Sequence, residues 1–456
     1  MNPEFQRNLW LEAAPRRIAW AAVTLVLIYG AALMLSRDIP YGVSGVGDLG
    51  VVVFSVCAMV WGARAAGASV LTEISDRTWD YQRLSALDPW AMTWGKLFGR
   101  TSLAWLCALS GLLVQTISSV IVGKPALIVL FVFLISLAIL LQAISMGGAL
   151  IGVRKARAEG RVARAGGVLG GLLVGAILLS WVAGSAGFQR GQGFEGLSTA
   201  LGAGSNPIDW GGAYWTSTTF RALAVSLFAA WAVVGVWRLM RLELQMRNSP
   251  WVWVGFLIFL AVFAGGFMLR QGGMTGALVS GVLAVALCAY AAAFAEPADR
   301  VRMRQFHRHA RAGDFARAAP LAPSPLAPFI LGVVLTIAAF ASSLGGYIRP
   351  EVAQAAALMA FLLRDLGVIA ICRLGDRPQR GDFAAVVALG LLYGVGGIIG
   401  WSVNHQTGAA LFAPLGSAPL MSLVSGLVQA GIAWALVVRR IGPSAPPSAP
   451  ASVPAS

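Results

Sequence analysis

The chain has 456 residues, of which 58% are hydrophobic and only 12% are charged. Soluble domains average about 45–50% apolar and about 25% charged residues. This composition excludes an ordinary soluble enzyme, a disordered protein, a coiled coil and a nucleic-acid-binding domain. We therefore interpret the chain as an integral membrane protein, whose formal net charge of +15 should lie on cytoplasmic loops instead of binding nucleic acid.

Twelve apolar segments are long enough to cross a bilayer, since about 20 residues in a helix span about 30 Å of hydrocarbon. The first six are 18–35, 50–70, 101–122, 126–151, 166–187 and 220–240. The second six are 251–269, 275–295, 327–348, 353–373, 384–402 and 419–438. The predicted fold class is therefore all-α, a polytopic membrane helical bundle of about 12 transmembrane helices.

Basic residues cluster in alternate loops and predict the orientation. Clusters of arginine follow the fourth, sixth, eighth and tenth spans, and basic residues also precede the first span and follow the last. The loops on the opposite side, which follow the odd-numbered spans, carry only about one basic residue each. The positive-inside rule then places both termini in the cytoplasm. Because arginine outnumbers lysine about tenfold, which we attribute to codon bias in a GC-rich bacterial genome, we expect a bacterial inner membrane.

The two halves of the chain are similar to each other. A shift of 223 residues lays the second to fifth spans over the eighth to eleventh, and it aligns Glu73-Ile74-Ser75-Asp76-Arg77 with Glu296-Pro297-Ala298-Asp299-Arg300. Internal repeats of this kind are common in transporters. We predict two tandem six-helix halves, 18–245 and 246–440, followed by a disordered Pro/Ala/Ser tail, 441–456.

The segment 73–99 is too polar to cross the membrane and is patterned like a helix. At 100° per residue, five charged side chains share an arc of about 120°: Glu73, Asp76, Arg77, Asp80 and Arg83. The spacing predicts ion pairs between Glu73 and Arg77 and between Asp80 and Arg83. An amphipathic cytoplasmic helix is the interpretation we favour, and a membrane-surface helix with a solvated face is the alternative.

A second helix should begin within this segment, after the charged stripe that ends at Arg83. Asp88 is a suitable N-cap and Pro89 suits the first helical position. Trp90, Trp94 and Leu97 are then expected to line one side of the helix as it enters the third span.

This segment resembles the cytoplasmic signature of ABC-2 type permeases, in which the second span is followed by Glu, a basic residue and Thr, leucines, Pro and then Gly-Lys. The corresponding residues are Glu73, Arg77-Thr78, Leu84, Leu87, Pro89 and Gly95-Lys96. The opening sequence, within 1–17, is similar to the N-terminal interfacial helix of that family. The motif covers about 30 residues, and the order of spans extends the resemblance to about 240. The stretch before the proline is longer than usual, and the second copy continues as a run of Arg, His and Ala.

The resemblance implies a permease whose cytoplasmic helix couples to a separate ABC-type ATPase in two copies. The implied coupling residues are Glu73, Asp76, Arg77, Thr78, Asp80, Arg83, Pro89, Gly95 and Lys96. Their second-half equivalents are Glu296, Asp299 and Arg300. The chain has no GxxxxGK[ST] phosphate loop, so ATP should act only through the partner. We expect no catalytic residue, metal site or cofactor in the chain itself.

Arg364 and Asp365 fall near the middle of the tenth span, where each charge costs about 2.5–3.5 kcal/mol on insertion scales. Because adjacent helix positions point about 100° apart, each should find a partner on another helix. One interpretation is a polar contact that lines a substrate pathway or the seam between the halves. The other is a buried structural ion pair.

Two further functions remain open from the sequence. A twelve-span secondary transporter driven by an ion gradient would need no ATPase, but Asp365 is nearly the only carboxylate within a span. A scaffold that organises other membrane proteins would transport nothing. No polar cluster indicates the substrate.

Overall fold

The protein is described by a computed structural model. It describes residues 2–37, 42–76, 78–79, 88–123, 128–158, 160, 207–246, 248–297, 299–344, 349–375, 380–404, 407–414 and 418–441. In the first half the elements are α1 Pro3–Glu12, α2 Pro15–Leu35, α3 Gly42–Ser75, α4 Pro89–Trp94, α5 Ser102–Ile121, α6 Ile128–Ala158, β1 Ile208–Trp210, β2 Ala213–Trp215 and α7 Ser217–Glu243. In the second half they are α8 Trp251–Gly266, α9 Leu269–Ala295, α10 Arg300–Arg311, α11 Phe315–Ala318, α12 Leu326–Ser343, α13 Pro350–Arg373, α14 Gly381–Val403 and α15 Pro419–Ile441.

The predicted all-α membrane bundle is confirmed. Ten of these helices are long and apolar enough to cross a membrane. α8 coincides with the seventh predicted span, but it has only 16 residues. The fifth predicted span, 166–187, and the tail, 441–456, lie outside the described residues apart from Ile441, the last residue of α15.

Two spans are longer than their apolar segments predict. α3 has 34 residues and includes a π-helical segment, Ser55–Trp61. α6 has 31 residues, or about 46 Å at 1.5 Å per residue, which exceeds the hydrocarbon thickness of about 30 Å. Its last turns carry Arg154, Lys155 and Arg157, so the end that leaves the hydrocarbon is charged.

Packing divides the chain into two units. The first contains residues up to Asp209 together with Ala213–Asn248, and the second contains Trp210–Gly212 and the chain from Ser249 onward. The sequence predicts the junction between 245 and 246, close to this division.

In the first unit, α3 packs against α5 and α6, and α6 packs against α7. The core between them is built from large side chains such as Phe54, Phe133 and Leu134, all almost completely buried. α3 and α5 cross at a pair of glycines, because a Cβ atom at Gly50 or at Gly111 would collide with the carbonyl oxygen of the other. Small residues allow this close approach, which is a major source of helix association in membranes.

In the second unit, α9 packs against α8, α12 and α13, and α13 packs most extensively against α15. Each unit therefore pairs its second span with its third, its second with its fourth, and its fourth with its sixth. These three pairs are shared by the described spans of both units.

The glycine crossing gives a testable prediction. Gly111→Leu should lower the stability of the first unit by about 1–3 kcal/mol, because the new side chain forces α3 and α5 apart. Thermal unfolding of the purified protein in detergent would measure the change. Gly30→Leu is the matched control, since Gly30 lies in α2 with no atom within 4 Å of its Cβ position. Equal melting temperatures for the two variants would show that the close approach of α3 and α5 at these glycines does not contribute to stability.

Candidate functional site

The end of the second span is held by a cluster of four charged side chains, Glu4, Arg7, Glu73 and Lys96. Glu73 lies in the last turn of α3, and its carboxylate forms an ion pair with Lys96. The Lys96 ammonium also lies 3.2 Å from Glu4 Oε1. Arg7 Nη2 lies 2.5 Å from Glu73 Oε1 and 3.0 Å from Glu4 Oε1. We call these four residues the charge cluster; two acids balance two bases.

Two members of the charge cluster are buried. The side chain of Lys96 is completely buried and that of Glu4 is 3% exposed. Burying charges is tolerated only when they are paired and hydrogen-bonded. Glu4 Oε1 also accepts from Asn8 Nδ2 at 2.9 Å, and the Lys96 ammonium lies 5.2 Å from the centre of the buried Trp79 ring.

The same contacts fix the N-terminal helix against the start of the third span. Between α4 and α5 the chain forms a π-helical segment, Gly95–Gly99. A Cβ atom at Gly95 would lie 2.8 Å from the side chain of Glu4, and one at Gly99 would lie 2.8 Å from Asn8 Cβ. The two glycines therefore let α1 lie directly on this segment. Asn2 Nδ2 donates to the Ala91 carbonyl at 2.6 Å and secures the beginning of α1.

An exposed flank remains beside the charge cluster. α3 ends at Ser75 with Asp76 as its C-cap, and Thr78 donates to the Glu73 carbonyl through both its backbone N–H, at 3.0 Å, and its hydroxyl, at 3.2 Å. The side chains of Asp76, Thr78 and Asp88 are exposed. Other predicted coupling or motif residues lie outside the described residues: Arg77, Asp80, Arg83, Leu84 and Leu87.

The structure corrects the predicted local geometry in two respects. Because α3 ends before residue 77, the charged stripe does not lie on one uninterrupted helix, and Glu73 binds Lys96 and Arg7 across the fold. Leu97 is completely buried, whereas Trp90 and Trp94 are each 43% exposed, so the three do not line one side. The π-helical segment accounts for this difference, because it changes the angular spacing between Trp94 and Leu97.

The predicted start of the next helix is confirmed. The Asp88 carboxylate accepts from the backbone N–H of Trp90 at 3.0 Å and of Ala91 at 3.3 Å. Pro89 occupies the first turn, where its missing N–H costs nothing. The Trp90 and Trp94 rings stack with centres 5.9 Å apart.

The corresponding residues of the second unit make different contacts. Glu296 Oε2 accepts from Ser324 N at 2.6 Å and Ser324 Oγ at 2.8 Å, while Oε1 binds Arg302. Asp299 caps α10 by accepting from the N–H groups of Val301 and Arg302. Arg300 donates to the carbonyls of residues 374 and 375. In both units the glutamate of the repeat, Glu73 or Glu296, is thus neutralised by a cation from the following segment.

A second polar group lies inside the membrane-spanning part of the second unit. Arg364 and Asp365 of α13 are 1% and 0% exposed, and Arg364 Nε donates to Asp365 Oδ1 at 2.7 Å. Asp365 Oδ2 accepts from Tyr290 OH of α9 at 2.6 Å and Tyr393 OH of α14 at 2.7 Å. Arg364 Nη1 donates to Gln429 Oε1 of α15 at 2.9 Å. We call these five residues the intramembrane network.

The predicted partners on other helices are therefore present, but the two charges also pair with each other. Four helices of the second unit meet at the intramembrane network. This arrangement favours the structural interpretation of Arg364 and Asp365. Sequence reasoning missed Tyr290, Tyr393 and Gln429, although each is a polar side chain within an apolar span, the signal that could have found them.

Among the described residues, no group of three or more His, Cys, Asp or Glu side chains is placed to hold a metal ion. No protein-family model, curated protein or solved structure matches the chain. The functional assignment therefore depends on the sites themselves and on the resemblance of the segment 73–99.

Proposed function

We propose that the chain is the membrane-spanning subunit of an ABC-2-like exporter, driven by a separate cytoplasmic ATPase in two copies. The observation that carries the proposal is the charge cluster. It joins α1, the end of the second span and the start of the third span next to an exposed turn.

A cytoplasmic ATPase that moves a membrane protein needs an exposed surface to which it can bind. It also needs a rigid connection between that surface and the membrane-spanning helices. The exposed side chains of Asp76, Thr78 and Asp88 lie on both sides of the segment 80–87 and offer such a surface. Glu73 lies three residues before Asp76 and is bound to the buried Lys96. A displacement of the turn would therefore move α1, α3 and the beginning of the third span together.

The repeated packing of spans also supports the proposal. Two similar six-helix halves suit a transporter in which ATP-driven closure of two ATPase subunits tilts one half against the other and opens a path. This is a two-state element biased by nucleotide. The motif that resembles ABC-2 permeases is complete only in the first unit, because the second copy continues after Arg300 as a run of Arg, His and Ala, so we propose that the first unit provides the principal coupling surface.

The proposal predicts that a double charge reversal, Arg77→Glu with Asp80→Lys, abolishes binding of the ATPase. The chain would be co-expressed with the ABC-type ATPase that we expect a neighbouring reading frame to encode, and purified through a tag on the chain. We expect recovery of the ATPase to fall by about tenfold or more, as for the loss of about 1.4 kcal/mol or more of binding free energy, while membrane insertion is unchanged.

Arg439→Glu is the control, because Arg439 is an exposed arginine at the end of α15, remote in sequence from the turn. Unchanged recovery of the ATPase with the double reversal would contradict the docking role. Transport that survives ATP depletion but stops when the proton gradient collapses would instead support a secondary transporter.

A further inference from the structure

The second unit contains a cavity of about 400 Å³ that the proposed function does not use. Its walls come from α10, the end of α9, α12, α13 and α15. The volume lies within the range of about 300–1,000 Å³ that is usual for small-molecule sites. The cavity therefore has the size of a ligand site.

The lining changes from charged to apolar along the cavity. Its charged members are Glu296, Asp299, Arg302 and Arg373, which lie near the ends of α9 and α13 and the beginning of α10. The deeper lining is aliphatic and aromatic and includes Leu363, Leu366, Ile369, Phe329 and Trp434. A ligand that fills this space must be polar at one end and apolar along the rest.

The depth of the cavity equals about one leaflet of a bilayer. Its lining on α13 runs from Leu363 to Leu374. At 1.5 Å per residue this stretch is about 16 Å long, close to half of the hydrocarbon thickness of about 30 Å. A lipid chain that enters from the charged end would reach roughly the bilayer midplane, where acyl chains of one leaflet end.

The helix α10, beside the charged end of the cavity (its mouth), lies in a segment with an excess of positive charge. Between Glu296 and Leu321 the chain carries six arginines and three carboxylates. Arg304, Arg308 and Arg311 are exposed on the outer side of α10, whereas Met303 and Phe306 of the same helix line the cavity. A basic amphipathic helix with this arrangement attracts anionic headgroups at a membrane surface.

We propose that the cavity holds an acyl chain of an anionic phospholipid from the arginine-rich side of the membrane, with its headgroup at α10. A polypeptide is a poorer occupant, because its backbone N–H and C=O groups would need partners that the deep lining does not offer. The positive-inside rule predicts that this side is cytoplasmic. The proposal depends on the geometry of the second unit and not on transport.

The test uses the full chain in phosphatidylcholine vesicles that contain a trace of phosphatidylglycerol with a diazirine at the end of one acyl chain. After illumination, peptide mass spectrometry would locate the label. We expect labelling of residues 363–374 and of the peptide that contains Trp434. Unlabelled phosphatidylglycerol should compete for the site, and phosphatidylcholine with the same chains should not.

Two substitutions on α10 provide a matched pair. Met303→Glu adds a negative charge inside the mouth and should reduce labelling about tenfold, since an unpaired charge disfavours an acyl chain and repels the headgroup. Gln305→Glu adds the same charge on the exposed side of the same helix, among the arginines, and should reduce labelling by only about two- to threefold, because solvent and the neighbouring arginines screen it. Because α10 lies outside the membrane-spanning helices, neither change should prevent folding, which gel filtration would verify.

A third variant tests the cavity itself. Ala370→Phe fills it from α13 and should also reduce labelling, whereas Ala384→Phe on the exposed side of α14 should not. Three results would each overturn the proposal. They are equal labelling of Met303→Glu and Gln305→Glu, equal competition by phosphatidylglycerol and phosphatidylcholine, and a partner polypeptide cross-linked in the cavity.

Discussion

Lys96→Met should lower the stability of the first unit by about 3–5 kcal/mol, because removal of one partner from a buried ion pair leaves an uncompensated charge. Without the Lys96 ammonium, two carboxylates remain in the charge cluster with only Arg7 to balance them, and Glu4 is 3% exposed. The loss should appear as a lower melting temperature in detergent. It should also release α1, since Glu4 is one of the contacts that hold α1 on the segment Gly95–Gly99.

A double variant separates the effect of charge from the effect of packing. Adding Glu4→Gln to Lys96→Met leaves Glu73 paired with Arg7 and restores the balance of charges, so the double variant should be more stable than Lys96→Met alone. Limited proteolysis would report release of α1, because Arg7 lies within α1 and trypsin can cleave after it only when that helix detaches and unfolds. Lys155→Met on α6 is a control for the loss of a lysine that is not fully buried, with an expected change below about 1 kcal/mol. A fully stable Lys96→Met variant that keeps α1 protected would show that the charge cluster does not hold these elements together.

The sequence predicts the positions of the spans well, because a run of about 20 apolar residues has few alternatives to crossing a membrane. Eleven of the twelve predicted spans overlap a described helix, and the other, 166–187, lies outside the described residues. Local capping was equally predictable, since Asp88 and Pro89 act within a single turn. These features depend on residues that are close together in the chain.

The charge cluster depends on distant residues, and the sequence could not predict it. Spacing along a helix predicts Arg77, which lies outside the described residues, as the partner of Glu73. Among the described residues, Lys96 and Arg7, 23 and 66 residues away, bind its carboxylate. Lys96 and Arg7 can reach Glu73 because α1 crosses the chain at Gly95 and Gly99. The resemblance to ABC-2 permeases singled out Gly95 and Lys96 without showing that Lys96 would be buried.

The contacts of the intramembrane network could not be predicted from the sequence either. Arg364 and Asp365 stand out in the sequence because charges are rare within spans. Their partners, Tyr290, Tyr393 and Gln429, lie on three other helices. Nothing in the local sequence indicates that these helices bring their polar side chains to the same depth.

Asp365→Leu should destabilise the second unit by about 3–5 kcal/mol, because Arg364 would remain buried without its carboxylate. Tyr290→Phe removes one of the two hydroxyl donors to Asp365 Oδ2 and should cost only about 1 kcal/mol. Arg364→Met combined with Asp365→Leu removes both charges and should be more stable than Asp365→Leu alone. Unfolding in detergent would rank the three variants, and an Asp365→Leu protein as stable as Tyr290→Phe would contradict the central place of the ion pair.

If the chain is the exporter that we propose, transport by the double variant separates the two interpretations of Arg364 and Asp365. If the intramembrane network only joins α9, α13, α14 and α15, a folded double variant that lacks both charges should still transport, since apolar side chains of similar size can replace a buried ion pair. If Arg364 or Asp365 contacts the substrate, the double variant should fold and fail to transport. Because both residues are almost completely buried among side chains of their own unit, we expect transport to continue.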